Sequence, residues 1–358
     1  MPFGVIDTQY IDYPSTVDEL LLKSLETSSG YTLAQLTVLA DQALSGLNSN
    51  LDEDLASLIS HTTKATTGAR TIGRKFVQVG GERTIPRSQY LDRAEFQLPM
   101  EKYEITTGFT EDGLMEMSAQ DFSEEMQGVV DAWQMLYGGL IWTALFDPTP
   151  EPISSRSSVL SPKFAGSGTG DYAFTGTYPN GTALPPNYSH YWRTSVANLW
   201  TTIREMRARL AKWHTAPFDL VGSESAIEKI MALPEFVPTG EVGIDKGAFA
   251  TVATLDPDVY AGQLPGRIRV RHGKEQIGST DHFAIYKSYG ALAGDNPLKW
   301  LYRELYGRGV YLRSRDTYPL AESVTIQYLG IGVDDRASAT IAEINDTAGS
   351  YEQPDVMF

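Results

Sequence analysis

Apolar residues recur at three- and four-residue spacing most persistently between Ser118 and Phe146. There Phe122, Met126, Val129, Val130, Trp133, Leu136, Tyr137, Leu140, Ile141, Ala144 and Leu145 form one stripe. That period predicts a single long amphipathic helix with one buried face. Ser118, followed three residues later by Asp121, supplies its N-terminal cap, and Pro148 closes the far end. Two shorter helices are predicted upstream. Val17, Leu20, Leu21, Leu22 and Leu25 follow Thr16, with Asp18 and Glu19 in the opening turn where the helix dipole favours negative charge. Leu33, Leu36, Leu39, Ala40, Ala43 and Leu44 follow Thr32 and end near Gly46. Downstream, residues 191 to 214 predict a further helix with Trp192, Val196, Leu199, Trp200, Ile203, Met206 and Leu210 on one side. Ser223 caps another that runs through Leu233 and is ended by Pro234.

Alternation marks the strands. In RKFVQVGGERTIP, Phe76, Val77 and Val79 surround a Gly80-Gly81 turn, a β-hairpin signal. EFQLPMEKYE and the following Ile105 to Phe109 read as strand leading into the long helix, and Phe218 to Val221 as a short buried strand. From about Gly266 the pattern turns to strands in RIRVRH, DHFAIYKS, GVYLRSRD and VTIQYLGIGV. Between residues 148 and 190 the chain is dense in Pro, Ser, Gly and Thr and carries neither period. So long a stretch reads as an insertion, a binding loop or an extension that orders against a partner. No internal repeat of solenoid period is present.

Charge divides the first hundred residues. Residues 1 to 60 hold nine acidic side chains and one base, Lys23. From Gly68 to Arg93 the balance inverts, with Arg70, Arg74, Lys75, Arg83, Arg87 and Arg93 against Glu82 and Asp92. Two readings stand side by side. In one, these are two solvated faces of a single domain. In the other, arm and hairpin reach away from the body and pair with the same elements of neighbouring copies, since an isolated hairpin is marginal and needs something to lie on. The candidate contact residues are then Asp18, Glu19, Asp52, Glu53 and Asp54 against Arg70, Arg74, Lys75, Arg83 and Arg87.

At 358 residues the chain is long enough for two domains and a substantial core. Its net charge of −16 works against free binding to nucleic acid or to an anionic membrane. The absence of cysteine rules out disulfides, zinc–thiolate sites and thiol nucleophiles. Nineteen Tyr, thirteen Phe and six Trp suit cores and interfaces alike. MPFGVIDTQYIDYPST has neither a basic start nor an apolar run of signal-peptide length, and Val129 to Phe146 is interrupted by Asp131, Gln134 and two glycines. A soluble protein made and used inside a cell is the expectation.

No catalytic set emerges. Gly166-Ser-Gly-Thr-Gly resembles a phosphate-cradling loop but lacks the preceding buried strand and the following helix, so a flexible turn is the simpler reading. The five histidines, His61, His190, His214, His272 and His282, include no four-residue helical pair. His272 and His282, with Asp281 and Glu275, make a weak metal set, and structural or surface roles fit them better. Glu124-Glu125 and Asp334-Asp335 are adjacent in sequence and diverge on a helix or strand. No serine sits in a nucleophile elbow. No catalytic residue, metal or cofactor is therefore assigned.

Taken in order, these segments resemble the tailed-bacteriophage major capsid proteins of the Hong Kong 97-type fold, an α+β fold, and the likeness covers most of the chain. It implies an N-terminal arm (1–60), an extended β-hairpin loop (61–97), and the first part of a peripheral domain with its long spine helix (98–147). An axial domain follows (148–280, with a loop insertion at 148–190), then returning peripheral-domain strands and a C-terminal tail (281–358). MRARLAKWHTAPFDLVGSESAIEKIMAL resembles the family's helix, buried strand and small capped helix, and Arg313 and Arg315 hold its R-x-R strand position. The resemblance implies a non-enzymatic structural protein of the virion, assembled in the host cytoplasm as hexamers and pentamers of an icosahedral shell. That shell would enclose double-stranded DNA without sequence-specific contact. The chain's partners would be copies of itself, with a decoration or cement protein, a scaffolding protein and a portal as further candidates, and no membrane. Some relatives crosslink a loop lysine to a neighbour's asparagine; Lys64 and Lys75, with Asn296 and Asn345, are the residues of those types here. A cellular nanocompartment shell shares the fold, although this chain is long for one. A cytosolic hydrolase or carbohydrate-binding protein is the alternative from another class.

Overall fold

The computed structural model describes residues 27–49, 53–63, 66–68, 95–97, 100–146, 191–239 except 213, 255–303 except 279, 309–333 except 318 and 319, and 338–357 except 348. In chain order the first elements are α1 (Leu33–Ser49), α2 (Glu53–Leu58), β1 (Ile59–Thr62), β2 (Thr66–Gly68), β3 (Glu95–Gln97) and β4 (Glu101–Thr110). Then come α3 (Glu111–Glu116), α4 (Ala119–Phe146), β5 (Tyr191–Thr194), α5 (Leu199–Leu210), β6 (Phe218–Gly222), α6 (Glu224–Met231) and β7 (Val237–Pro238). The remainder are strands: β8 (Tyr260–Leu264), β9 (Ile268–Arg271), β10 (His282–Tyr286), β11 (Leu298–Tyr302), β12 (Tyr311–Thr317), β13 (Leu320–Val333) and β14 (Ala339–Ile344). The chain divides into two units, one of residues 1–52, 100–137 and 301–330, the other of 53–99, 138–300 and 331–358.

In the first unit, β13 pairs antiparallel with β4 on one side and β12 on the other. Trp133 and Tyr137, one turn apart on α4, donate to residues two apart on β13. Trp133 Nε1 reaches Thr325 Oγ1 at 3.0 Å and the Tyr137 hydroxyl reaches Gln327 Oε1 at 2.7 Å. The match is geometric: four helical residues advance about 6 Å and two strand residues about 6.6 Å. Thr325 and Gln327 are buried, so the polar positions of VTIQYLG face the helix. Burial also pushes the Tyr137 phenol well above its ordinary range.

The predicted long helix forms over Ala119–Phe146, with the Ser118–Asp121 cap in both directions. Ser118 N–H donates to Asp121 Oδ2 at 2.8 Å, and Asp121 N–H to Ser118 Oγ at 3.2 Å. These bonds stabilise the ionised carboxylate and lower its pKa. The stripe holds with two amendments. Leu136 and Leu140 are only half-buried, while Trp142 and Phe146 are fully buried. Among the described residues no helix is long and apolar enough to cross a membrane. α1 forms as predicted and runs three residues past Gly46, opened by a Thr32–Gln35 capping box, but Leu39 of its predicted stripe is exposed. The helix predicted after Thr16 lies outside the described residues.

The second unit is built on a seven-stranded mixed sheet of order β5-β14-β10-β6-β9-β8-β7. β5 runs parallel to β14 and β6 parallel to β9, while the other neighbours are antiparallel. Leu199, Ile203, Met206 and Leu210 of α5 and Ala226, Ile227 and Ile230 of α6 join Phe218, Leu220, Val270, Phe283 and Ile285 in one core. Each large apolar side chain fully buried there contributes roughly 1.5–3 kcal/mol. Ser223 caps α6 as predicted, its Oγ accepting from Ala226 N–H at 3.4 Å.

The single helix predicted over 191–214 is corrected. Tyr191–Thr194 is strand, Val196–Asn198 a turn of 3-10 helix, and only Leu199–Leu210 is α-helical. Aromatic and β-branched residues suit a strand, and pairing with Ile341–Ile344 of β14 satisfies its backbone. Val196, expected in the buried stripe, is consequently exposed. EFQLPMEKYE is likewise two strands, β3 and β4, not one.

Candidate functional site

Opposite ends of the predicted loop are paired. β2 and β3 are antiparallel, with Thr66 opposite Gln97, Thr67 opposite Phe96 and Gly68 opposite Glu95. Residues 69–94 between them lie outside the described residues, and with them Arg70, Arg74, Lys75, Arg83, Arg87 and the Gly80-Gly81 turn. So do Asp18, Glu19, Asp52, Lys64 and the 148–190 segment with its glycine loop. Glu53 and Asp54 are the first two residues of α2.

A charged cluster that the sequence reading passed over lies in the second unit. Asp219 sits in the central strand β6, fully buried, with Tyr260 from β8 and Arg269 and Arg271 from β9 around it. Arg269 Nε donates to Asp219 Oδ1 at 2.5 Å. Arg271 Nε and Nη2 donate to Oδ2 at 3.2 and 3.0 Å, and Arg271 Nη2 also reaches the Tyr260 hydroxyl at 3.1 Å. Both guanidinium carbons lie over the Tyr260 ring, 5.1 and 4.9 Å from its centroid. RIRVRH reads as strand, and within it Arg271 is only 3% exposed. The available signal was Asp219, a lone carboxylate inside the otherwise apolar FDLVG, because a buried charge requires partners. The cluster fixes charge and geometry inside the sheet.

Two of the histidines are held by main-chain groups. His272 Nε2 is 2.9 Å from the Pro257 carbonyl and His282 Nε2 2.6 Å from that of Glu352. His282 is wedged edge-on between Phe146 and Tyr351. Burial lowers its pKa, opposed by the Glu352 carbonyl and by the nearby carboxylates of Glu343 and Asp281. Among the described residues no three side chains of ligating type converge as a metal site. Asn296 is buried and occupied: its Nδ2 donates to the carbonyls of Ile59 and Gly290 at 2.9 and 2.8 Å, and its Oδ1 accepts from Tyr289 N–H at 3.0 Å. Asn345 bonds Glu343 and Thr347.

C-terminal to β14, the chain lies back along its own unit. The Tyr351 hydroxyl donates to the Phe146 carbonyl at 2.8 Å, Glu352 N–H to Glu343 Oε2 at 3.0 Å, and Met357 N–H to the Gln276 carbonyl at 3.0 Å. Gly278, at φ +82°, leaves room for the Asp355 carbonyl oxygen where any Cβ would intrude.

No family model and no curated protein sequence matches the chain. Solved structures do. A chain of Mycobacterium phage Patience is 18% identical and superposes with a TM-score of 0.63 over 92% of this chain and 93% of its own. Weaker likenesses include the mature capsid of bacteriophage PhiM1 (9% identity, TM-score 0.48, 82% and 87% covered). Another is the SrpI encapsulin of Synechococcus elongatus (11% identity, TM-score 0.45, 83% and 90% covered). A sheet-and-helix body matched over nine-tenths of both chains by the Patience protein is not a shared motif but a shared architecture. The chain therefore has the Hong Kong 97-like α+β fold of tailed-phage capsid proteins.

Proposed function

We propose that this chain is the major capsid protein of a tailed phage. Its copies associate as hexamers and pentamers of an icosahedral shell around double-stranded DNA. The observation that carries the reading is the likeness to the Patience chain, which extends over 92% of this chain and 93% of that one. The segments then take the roles of arm (1–60), extended loop (61–97), first part of the peripheral domain with its spine helix (98–147), axial domain (148–280), and returning strands with a C-terminal tail (281–358), of which β10 and β14 join the seven-stranded sheet. Two features suit a shell subunit. Acidic residues 1–60 and the basic segment enclosed by the β2–β3 pair are of opposite sign, which gives neighbouring copies register and orientation. A net charge of −16 keeps an inner wall from trapping the genome. The basic side chains Arg70, Arg74, Lys75, Arg83 and Arg87 meet Asp18, Glu19, Asp52, Glu53 and Asp54 of adjacent copies rather than DNA. Decoration, scaffolding and portal proteins are partners of the same assembly, and the virion is its location.

The test is assembly itself. Negative-stain microscopy of the expressed chain is expected to show capsomers or closed shells, and deletion of residues 1–50 to abolish them while leaving soluble subunits. A monomer that stays monodisperse at high concentration across salt conditions overturns the reading. Arg74→Glu, Lys75→Glu and Arg83→Glu together are expected to stop assembly without unfolding the subunit; normal particles would refute the charge pairing. Shells that package DNA from a producing cell separate a phage capsid from a nanocompartment.

A further inference from the structure

Three neighbouring strands of the seven-stranded sheet place one residue each in a single cross-strand row: Arg193 on β5, Glu343 on β14 and His282 on β10. Residues directly opposite one another point to the same face, and on that face lies the segment that follows β14. All three side chains converge on one residue of it, Glu352, and together they take each of its polar groups. His282 Nε2 donates to the Glu352 carbonyl at 2.6 Å, Glu352 N–H donates to Glu343 Oε2 at 3.0 Å, and Arg193 Nη1 reaches the Glu352 carboxylate at 3.4 Å. Arg193 Nη1 also donates to the Ser350 carbonyl at 2.5 Å. The apolar contribution is small, since between Tyr351 and Met357 only Pro354 is buried. Polar contacts therefore hold this segment, and in water such contacts are individually weak.

The surroundings of His282 suit a ring that carries one proton but not two. Because Nε2 donates to a carbonyl, the neutral ring has its lone pair on Nδ1, which is buried and has no hydrogen-bond partner among the described residues. A second proton would sit there without an acceptor, on a residue 1% exposed and wedged between Phe146 and Tyr351. The nearby carboxylates are committed elsewhere. Glu343 accepts from Asn345 and from Glu352 N–H and lies 3.7 Å from Arg193 Nη2, while Asp281 is paired with Lys229 of α6. Burial outweighs the Glu352 carbonyl and both carboxylates, and it lowers the pKa of the ring. Lifting Tyr351 and Glu352 removes one aromatic wall and uncovers Nε2, so a charged ring regains water.

We propose that residues 349–357 form an acid-released latch, unseated from the Arg193–Glu343–His282 row when the His282 ring takes up a second proton. Above the pKa of a free imidazole, about 6.5, the ring is neutral whether the segment is seated or lifted, and the seat keeps its bonds. Below it, the lifted form binds a proton that the seated form refuses. Each pH unit then shifts the balance toward the lifted form by up to about tenfold, until the pH passes the seated value. The latch belongs to the folded subunit and does not depend on assembly.

Because the chain has no cysteine, Met357→Cys gives a single, exposed attachment point for a spin label. Electron paramagnetic resonance of the intact chain then reads the mobile fraction, with far-ultraviolet circular dichroism of the same samples to monitor the fold. From about pH 7.5 to about pH 5 the mobile fraction should rise several-fold while the dichroism stays constant. His282→Gln keeps a donor for the Glu352 carbonyl but does not titrate, so its mobile fraction should stay flat. Should that variant misfold, Glu352→Gln, at a carboxylate whose side chain is 75% exposed, serves instead. A weaker seat needs less acid to open, so its midpoint should move up toward the free imidazole value. A flat wild-type profile, a rise that His282→Gln shares, a Glu352→Gln midpoint that does not move up, or mobility that appears only as the dichroism is lost overturns the proposal.

Discussion

Thr325→Val isolates the contact that ties the long helix to its sheet. Valine matches threonine in shape and keeps a strand-favouring branched side chain, so packing and propensity stay nearly constant. What goes is the hydroxyl that accepts from Trp133 Nε1 at 3.0 Å and donates to the Ile105 carbonyl at 3.3 Å. Trp133 and Thr325 are both fully buried, so water cannot replace the lost partner. An unsatisfied buried donor costs about 1–3 kcal/mol. Trp133→Phe removes the same donor and also leaves a cavity where the larger ring was. In the Trp133→Phe background the hydroxyl has no indole to satisfy, so Thr325→Val should cost about 1 kcal/mol less there than in the wild type.

Urea unfolding of the unassembled chain followed by far-ultraviolet circular dichroism gives the four free energies, free of any change in indole emission. A coupling below about 0.3 kcal/mol, within the additivity of independent sites, would refute the claim that this bond links helix to strand. The same cycle on Tyr137→Phe and Gln327→Leu provides a second, independent reading of the link.

Three further outcomes follow from the second unit. Asp219→Asn keeps the shape but removes the buried carboxylate that both Arg269 and Arg271 bond, so unfolding free energy should fall by about 3–5 kcal/mol, measured by urea denaturation. His282 has a depressed pKa, so above about pH 6.5 it is neutral folded and unfolded and contributes nothing. Below that, the unfolded chain takes up a proton the folded chain refuses, and stability should fall with a limiting slope of about 1.4 kcal/mol per pH unit until the folded value is passed. His282→Gln should lose that component between pH 7.5 and 5, and an identical slope in both proteins would exclude His282 as its source. Gly278→Ala forces a side chain into a positive-φ position, costing about 1–2 kcal/mol, and against the Asp355 main chain. Carboxypeptidase should then release the C-terminal residues faster than from wild type.

How much of this was legible in the sequence depends on whether local pattern and tertiary pairing agree. For α4 they agree: its period, its Ser118–Asp121 cap and its end are all local, and each appears where the residues put it. Ser223 and α6 are the same case. Residues 191–194 show the failure. YWRT continues a helical spacing into α5, but β14 offers a parallel edge that satisfies the whole backbone, and no local signal reveals an edge supplied 150 residues later. β8, β11 and β14 went unread for a related reason. Their alternation is weak, and β14 is buried at every position, so it lacks the period that marks a half-solvated strand. The charged cluster was hidden because arginine alternating with apolar residues in RIRVRH has the pattern of an exposed face. Only the fold brings Asp219 beside it.

The buried polar residues of β13 explain why the helix sits in one register. An apolar stripe on a helix tolerates sliding, because moving one turn replaces one set of apolar contacts with a similar one. The Trp133–Thr325 and Tyr137–Gln327 bonds do not tolerate it. A slip of α4 by one turn, about 5.4 Å, unmakes at least one of them and a larger slip both, leaving up to four buried polar groups without partners. At about 1–3 kcal/mol each, the penalty reaches roughly 4–12 kcal/mol, comparable with the whole stability of a typical domain. In the correct register the same bonds add little, since they only replace bonds to water. Their effect is discrimination: the apolar face drives α4 onto the sheet, and two polar pairs decide where along it the helix stops.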